Sequence, residues 1–225
     1  MPVEQFARAV DHTLLDPGAG EASVLRLCAE AEQHGFAAVC VFPWWVELAR
    51  AQLANASVCT VIAFPHGLDI TRDKCEAARA AVSAGADEID VVMAWGPLRD
   101  GDELAAGRDI TAVVDAVHDQ RADAVVKVII ESAQLSDLHI TWACGLVAAS
   151  GAEFAKTSTG VAGGATPAAV ELMRRSLPGR VAIKASGGIR TAAAASAMLE
   201  AGATRLGTSR SVAILDELEA NAVAR

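Results

Sequence analysis

The chain has 225 residues, 52% hydrophobic and 21% charged, which is enough to bury a large core and excludes a disordered or low-complexity protein. Its formal net charge of −9, with no clustered basic stretch, excludes nucleic acid or an anionic membrane surface as the partner. Aromatic residues make up 4% and tyrosine is absent, so the core must be built from Ala, Val, Leu and Ile.

One phrase recurs along the chain: an alanine-rich helical stretch closes on Gly, and a short β-branched run follows, as in "HGFAAVCVF", "AGADEIDVV" and "SGAEFAKTS". That is the signature of βαβ units in a parallel sheet buried on both faces. The pattern predicts strands over 9–13, 37–42, 58–64 and 88–93, separated by helices over 21–33, 46–53 and 72–83. It continues with a helix over 104–117, a strand over 124–130, a helix over 138–149, a strand over 154–157 and a helix over 167–175. A strand over 181–185, a helix over 192–200, a strand over 205–208 and a last helix over 212–222 complete it. Eight alternations at about 28 residues each predict an α/β fold, a (β/α)8 TIM barrel spanning residues 1–225 as one domain. An open doubly wound sheet is the other arrangement of such units, but it gives no reason for eight evenly spaced ones.

The nineteen cations divide unevenly, into fifteen arginines and four lysines, Lys74, Lys127, Lys156 and Lys184. Arginine is the default surface cation here, so a lysine inside an apolar run calls for the property arginine lacks, an amine able to lose its proton. Lys74 lies in a charged helix start beside Arg72 and Asp73, where arginine would serve. Lys156 in "KTSTG" and Lys184 in "KASGG" end neighbouring strands, at the barrel face where chemistry sits. Repulsion and burial should push at least one of these amines towards neutrality, the state that attacks a carbonyl. Pairing with a carboxylate that plugs the barrel explains one such lysine equally well, and explains two less easily.

Asp90, within the apolar "EIDVVM", is the leading proton carrier. Strand alternation puts Glu88 on the same face but deeper. An ion pair of Asp90 with Lys127 or Lys184 is compatible with that role. Gly187 and Gly188 after strand seven, and Gly207 with Ser209 after strand eight, offer the N–H groups and hydroxyls that bind phosphate, and Arg190 and Arg210 could add charge. The five histidines lack metal-ligand spacing. The five cysteines form no C-x-x-C pair and make an odd number, so reduced thiols and a cytoplasmic location are expected, with no structural zinc. No apolar run approaches the roughly 18 residues of a membrane span, so no membrane partner is expected. Cys40 reads as a buried thiol, and Trp44, Trp45 and Trp95 read as a pocket wall or a subunit interface, the latter implying a homodimer.

The motifs "DHTLL", "VCVFP", "GADEIDVV", "KVIIES", "KTSTG", "GGAT", "KASGGIRT" and "GATRLGTS", in this order from Asp11 to about Ser211, resemble those of deoxyribose-phosphate aldolases. The resemblance implies a (β/α)8 barrel and a class I aldolase without metal or cofactor. Its substrate would be the phosphorylated sugar 2-deoxy-D-ribose 5-phosphate, cleaved to acetaldehyde and D-glyceraldehyde 3-phosphate. Carried over by position, the Schiff-base lysine falls on Lys156, the lysine that lowers its pKa on Lys184, and the acid that shuttles protons with a water on Asp90. Phosphate contacts fall on Gly160, Gly187, Gly188, Gly207 and Ser209. Asp11, Thr13, Thr159 and Lys127 match further pocket positions, with Lys127 holding the acid's charge. Ala94, Trp95, Phe42 and Arg210 depart from the pattern at the expected rim. The C-terminal tyrosine that some members use in proton transfer has no counterpart in this tyrosine-free sequence, which leaves protons to Asp90, Lys184 and water. The same lysine chemistry on another phosphosugar, or a non-catalytic barrel binding a sugar phosphate, are the alternatives.

Overall fold

Eight short apolar runs form the strands β1 (Val10–Leu14), β2 (Ala38–Val41), β3 (Ser57–Ile62), β4 (Glu88–Val92), β5 (Val125–Ile129), β6 (Phe154–Lys156), β7 (Ala182–Ser186) and β8 (Arg205–Thr208). In the computed structural model, which describes residues 2–223, they pair in parallel and in sequence order, and β8 pairs with β1 to close a barrel. Closure leaves no exposed sheet edge, and the right-handed crossovers put the helices outside.

The helices are α1 (Val3–Arg8), α2 (Glu21–His34), α3 (Val46–Gln52), α4 (Thr71–Ser83), α5 (Trp95–Arg99), α6 (Glu103–Gln120), α7 (Asp137–Ser150), α8 (Pro167–Ser176), α9 (Ala192–Glu200) and α10 (Ser211–Val223). Asp102, Ser136, Thr166 and Thr191 cap α6, α7, α8 and α9 by accepting a backbone N–H two or three residues into the helix. The turn phrase read from the sequence is realised at the end of α2, where Gly35 takes the left-handed conformation that releases the chain towards β2. Two helices were not anticipated. α1, six residues with buried Phe6 and Ala7, precedes β1, and α5 is a single short turn after β4. Among the described residues no helix is long and apolar enough to cross a membrane.

Strand alternation divides the apolar interior in two. The large core, which includes Val39, Val58, Ile89, Val91, Val126, Val128, Ile183 and Leu206, lies between sheet and helices. A separate small cluster, Ala38, Cys40, Cys59 and Val61, occupies the other face of β2 and β3, inside the barrel. Around the remaining strands the barrel interior is filled by charged side chains instead. All five cysteines are free and buried, Cys40 among them. Of the tryptophans singled out by sequence, Trp44 is 84% exposed and Trp95 lies under Arg99, whose guanidinium carbon is 5.6 Å from the ring.

Candidate active site

Register brings the charged residues together. Lys156 and Lys184 are directly paired positions on β6 and β7, and Asp90 and Lys127 on β4 and β5. All four side chains point into the barrel, where Asp90, Lys127 and Lys184 are fully buried and Lys156 is 3% exposed. Asp90 is the hub. Its Oδ2 accepts from Lys156 Nζ at 2.6 Å and from Lys184 Nζ at 2.7 Å, while its Oδ1 accepts from Lys127 Nζ at 2.9 Å and from the Cys59 thiol at 3.1 Å. Beneath it, Lys127 Nζ lies 2.5 Å from Glu88 Oε2, and Lys184 also donates to Asp11 Oδ2. Arg205 closes the network from below, 2.6 Å from Asp11 Oδ1 and 3.1 Å from Glu88 Oε2. Glu88 is thus the deeper acid and Asp90 the one facing Lys156, as their shared face and their order along the strand predicted.

Burial by itself raises the pKa of a carboxyl, but the cations Lys127, Lys156 and Lys184 outweigh it and hold Asp90 well below the ordinary carboxylate range. Asp11 is lowered in the same way against the same burial cost, by Lys184, Lys127 and Arg205. Burial works against the charge of Lys184, yet Asp11 and Asp90 push its pKa above the ordinary lysine value, so of the two amines, at least one of which was expected to be pushed towards neutrality, Lys184 is the one that stays charged. The repulsion anticipated between two strand-end ammonium groups is absorbed by one carboxylate lying between them.

Above this floor opens a cavity of about 380 Å³. Lys156, Thr13, Thr159, Gly160, Gly187, Gly188, Gly207 and Ser209 line it, so eight of the predicted site residues meet at one opening. The other four, Asp11, Asp90, Lys127 and Lys184, lie beneath as its buried support. Of the two arginines, Arg190 is in the lining and Arg210 is not; Ala94, Trp44, Trp45 and Trp95 are also outside it. Phe64 forms part of the wall and packs edge-on against Phe42 with ring centroids 6.1 Å apart. The glycine loops of β6 and β7 touch closely: a Cβ on Gly187, whose φ is +85°, would lie 2.9 Å from the Gly164 Cα and 3.0 Å from the Gly160 Cα. Only glycine permits that approach, and it leaves backbone N–H groups bare at the cavity mouth.

Two buried sets bring potential metal-ligand atoms within 4.8 Å of one another, Cys40 with Cys59 and Asp90, and Asp11 with Cys59 and Glu88. Their carboxylates are already neutralised by ammonium and guanidinium groups, which a cation would have to displace.

Two residues carry more than the sequence suggested. Lys74 is not a replaceable surface cation: it is 1% exposed, and its Nζ donates to Asp109 Oδ2 at 2.6 Å, Gly67 O at 2.7 Å and Val92 O at 3.2 Å. It ties the loop after β3, which carries Phe64, to the end of β4. Glu131, the acid of "KVIIES", is 1% exposed at the end of β5 and accepts from the Thr159 hydroxyl at 2.6 Å. A carboxylate closing an apolar strand was the available signal for it.

A closed (β/α)8 barrel with a buried lysine cluster facing a polar, glycine-lined cavity defines an aldolase-type site. The family model described as DeoC/LacD family aldolase matches residues 6–214, and the chain belongs to that family. It is 48% identical over 218 residues to deoxyribose-phosphate aldolase 1 of Cutibacterium acnes, covering 96% of this chain and 99% of that protein. It is 45% identical over 219 residues to the deoxyribose-phosphate aldolase of Geobacillus sp. (strain WCH70), covering 96% of this chain and 97% of that one. Among solved structures, the deoxyribose phosphate aldolase of Aeropyrum pernix, described as uniquely tetrameric, superposes with TM-score 0.87 at 31% identity, over 98% of this chain and 93% of that one. An aldolase named QR15 does so with TM-score 0.91 at 34% identity, over 97% and 98%.

Proposed function

We propose that the protein cleaves 2-deoxy-D-ribose 5-phosphate reversibly to acetaldehyde and D-glyceraldehyde 3-phosphate through a Schiff base on Lys156. The observation that carries this reading is that Lys156 is the one lysine of the buried cluster that also lines the cavity, with Asp90 Oδ2 2.6 Å from its Nζ.

Lys156 Nζ, having passed a proton to the Asp90 relay, attacks the C1 aldehyde, and loss of water from the carbinolamine leaves an iminium. The C3 hydroxyl then gives up its proton, the C2–C3 bond breaks, and its electron pair flows into the iminium to form an enamine. Glyceraldehyde 3-phosphate departs. Protonation of the enamine at C2 and addition of water release acetaldehyde and restore the amine. Asp90, with a water, moves these protons, while Lys184 stays charged and holds Asp90 in register. Lys127 fixes the other Asp90 oxygen. Main-chain N–H groups at Gly160, Gly187, Gly188 and Gly207, the Ser209 hydroxyl and Arg190 serve the phosphorylated end of the sugar, while Thr13 and Thr159, whose hydroxyls donate to Asp11 O and Glu131 Oε2, shape the wall beside it.

Ala94, Trp95 and Arg210 stand outside the cavity lining, which favours deoxyribose phosphate over a different phosphosugar. The free cysteines support a cytoplasmic setting, and exposed Trp44 supports a homodimer. Borohydride reduction with substrate present should attach the two-carbon unit to Lys156, read by peptide mapping. Label on another lysine would sink the assignment, and tight sugar-phosphate binding without any trappable adduct would favour a non-catalytic barrel.

A further inference from the structure

The β5 strand ends in a feature that the lysine chemistry does not use. Glu131 has φ +56° and ψ +55°, a left-handed conformation that a glutamate adopts only at a cost. Such strain persists where the surroundings over-determine it, and it concentrates near functional sites. Here the surroundings are the loop that follows Lys156. Glu131 Oε2 accepts from the Thr159 hydroxyl at 2.6 Å, and both of its carboxylate oxygens lie 3.3 Å from the Thr159 backbone N–H. The Thr159 hydroxyl oxygen in turn accepts from the Val161 N–H at 3.1 Å. One carboxylate therefore orients the turn Thr159–Val161 from both sides of Gly160.

Two neighbouring contacts point the same way. Ser132 N–H donates to Thr157 O at 2.8 Å, and the Gln134 side-chain amide donates to Ala162 O at 2.6 Å. The turn after β5 thus grips the β6 loop at three successive places, and Glu131 is its only charged grip. That loop carries Thr159 and Gly160 at the cavity wall, packed against the Gly187 loop.

We propose that Glu131 is a positioning residue for anion recognition: by holding Thr159 through its N–H and hydroxyl, it sets the Thr159–Gly160 turn so that the Gly160 N–H serves the phosphorylated end of the substrate. The inference rests on the proposed function for its substrate. The carboxylate touches neither Lys156 Nζ nor Asp90, so its effect falls on phosphate binding and not on carbon–carbon bond chemistry.

The discriminating variant is Glu131→Gly, because glycine adopts this backbone conformation freely and only the carboxylate grip is lost. Two readouts are taken on wild type and variant: the Kd for inorganic phosphate by calorimetry, and KM and kcat for deoxyribose 5-phosphate beside unphosphorylated deoxyribose. The expected result is a melting temperature no lower than wild type, at least tenfold weaker phosphate binding, and a KM for the phosphorylated sugar raised at least tenfold. The kcat on deoxyribose should change less than twofold. Glu131→Gln, which keeps one accepting oxygen, should bring the phosphate Kd back to within threefold. Equal losses on the two sugars, or an unchanged phosphate Kd, would overturn the inference. A wild-type enzyme that binds phosphate yet leaves deoxyribose 5-phosphate intact would count against the proposed function instead, while the phosphate Kd of Glu131→Gly would still decide the role of Glu131.

Discussion

Lys74→Met should be among the most costly single substitutions outside the active site. The methionine is close to lysine in length and fills the same space, so the loss is electrostatic. Lys74 and Asp109 have 0% and 9% side-chain exposure, and the Thr71 hydroxyl at 2.8 Å is the one side-chain donor left to the carboxylate once the amine is gone. The carbonyls of Gly67 and Val92 lose the same partner. Removing one member of a buried ion pair typically costs about 3–5 kcal/mol, and the remaining Thr71 bond argues for the lower end, about 3 kcal/mol. For a chain of this size that corresponds to a fall in Tm of roughly 6–12 °C, at about 2–4 °C per kcal/mol. Urea unfolding followed by circular dichroism measures it directly. Lys74→Arg should not restore stability, because a guanidinium does not fit a site built around a single ammonium. Lys74→Met combined with Asp109→Leu should lose markedly less than Lys74→Met alone, since no carboxylate is then left unpaired. A loss below about 1 kcal/mol for Lys74→Met, or a wild-type midpoint for Lys74→Arg, would refute the reasoning.

Two further outcomes follow from the geometry. Gly187→Ala forces a Cβ to within 3.1 Å of Gly164 Cα, Gly160 Cα and Gly163 O at a φ of +85°, and the left-handed backbone alone costs about 1–2 kcal/mol; steady-state assays should show KM for the phosphorylated sugar rising more than kcat falls, and an unchanged KM would separate this glycine pair from phosphate binding. Glu32 accepts the backbone N–H groups of Ala54, Asn55 and Ala56, bonds that with the Asn55 side-chain amide lower its carboxyl to about 2. A depressed acid contributes stability above its unfolded value of about 4.5 and loses it as pH falls through the folded one, so Glu32→Gln should cost about 1 kcal/mol at neutral pH, solvent screening included, and converge with wild type near pH 2. Urea midpoints measured across that window should close the gap; a pH-independent difference would show that the carboxylate charge is not what Glu32 contributes.

The barrel was legible because parallel strands buried on both faces appear as short apolar runs between helical ones, and that signal is local. The same locality explains what was not. Helix α1 is only six residues, too short for an apolar periodicity, and its burial depends on distant parts of the chain. Lys74 reads as a solvated helix start because its partner Asp109 is 35 positions away. The candidate site was legible to the extent that strand-end position decides it: Lys156, Lys184 and Asp90 could be assigned to one barrel end from where they fall along their strands, with alternation choosing among the acids of β4. That one Asp90 oxygen serves both lysines depends on rotamers and register, so the repulsion between the two amines was legible and the single carboxylate oxygen shared between them was not. Glu131 gave only the hint of an acid closing an apolar run, since a left-handed φ leaves no mark in composition.

The network inside the barrel joins four basic side chains, Lys127, Lys156, Lys184 and Arg205, to three acidic ones, Asp11, Glu88 and Asp90. With every group ionised the enclosure holds one surplus positive charge, and a neutral Lys156 brings it to balance once its proton has left the network. In the proposed reaction the iminium restores the surplus on the nitrogen bonded to the sugar, and cleavage transfers it from that nitrogen to the proton that the C3 hydroxyl hands to the Asp90 relay. Carbon–carbon cleavage is therefore also the step that moves positive charge from the Lys156 side of the barrel floor to the Asp90 side. A substitution that changes this count anywhere in the network, even at Arg205 on the far side from the cavity, alters the electrical balance against which that electron pair moves.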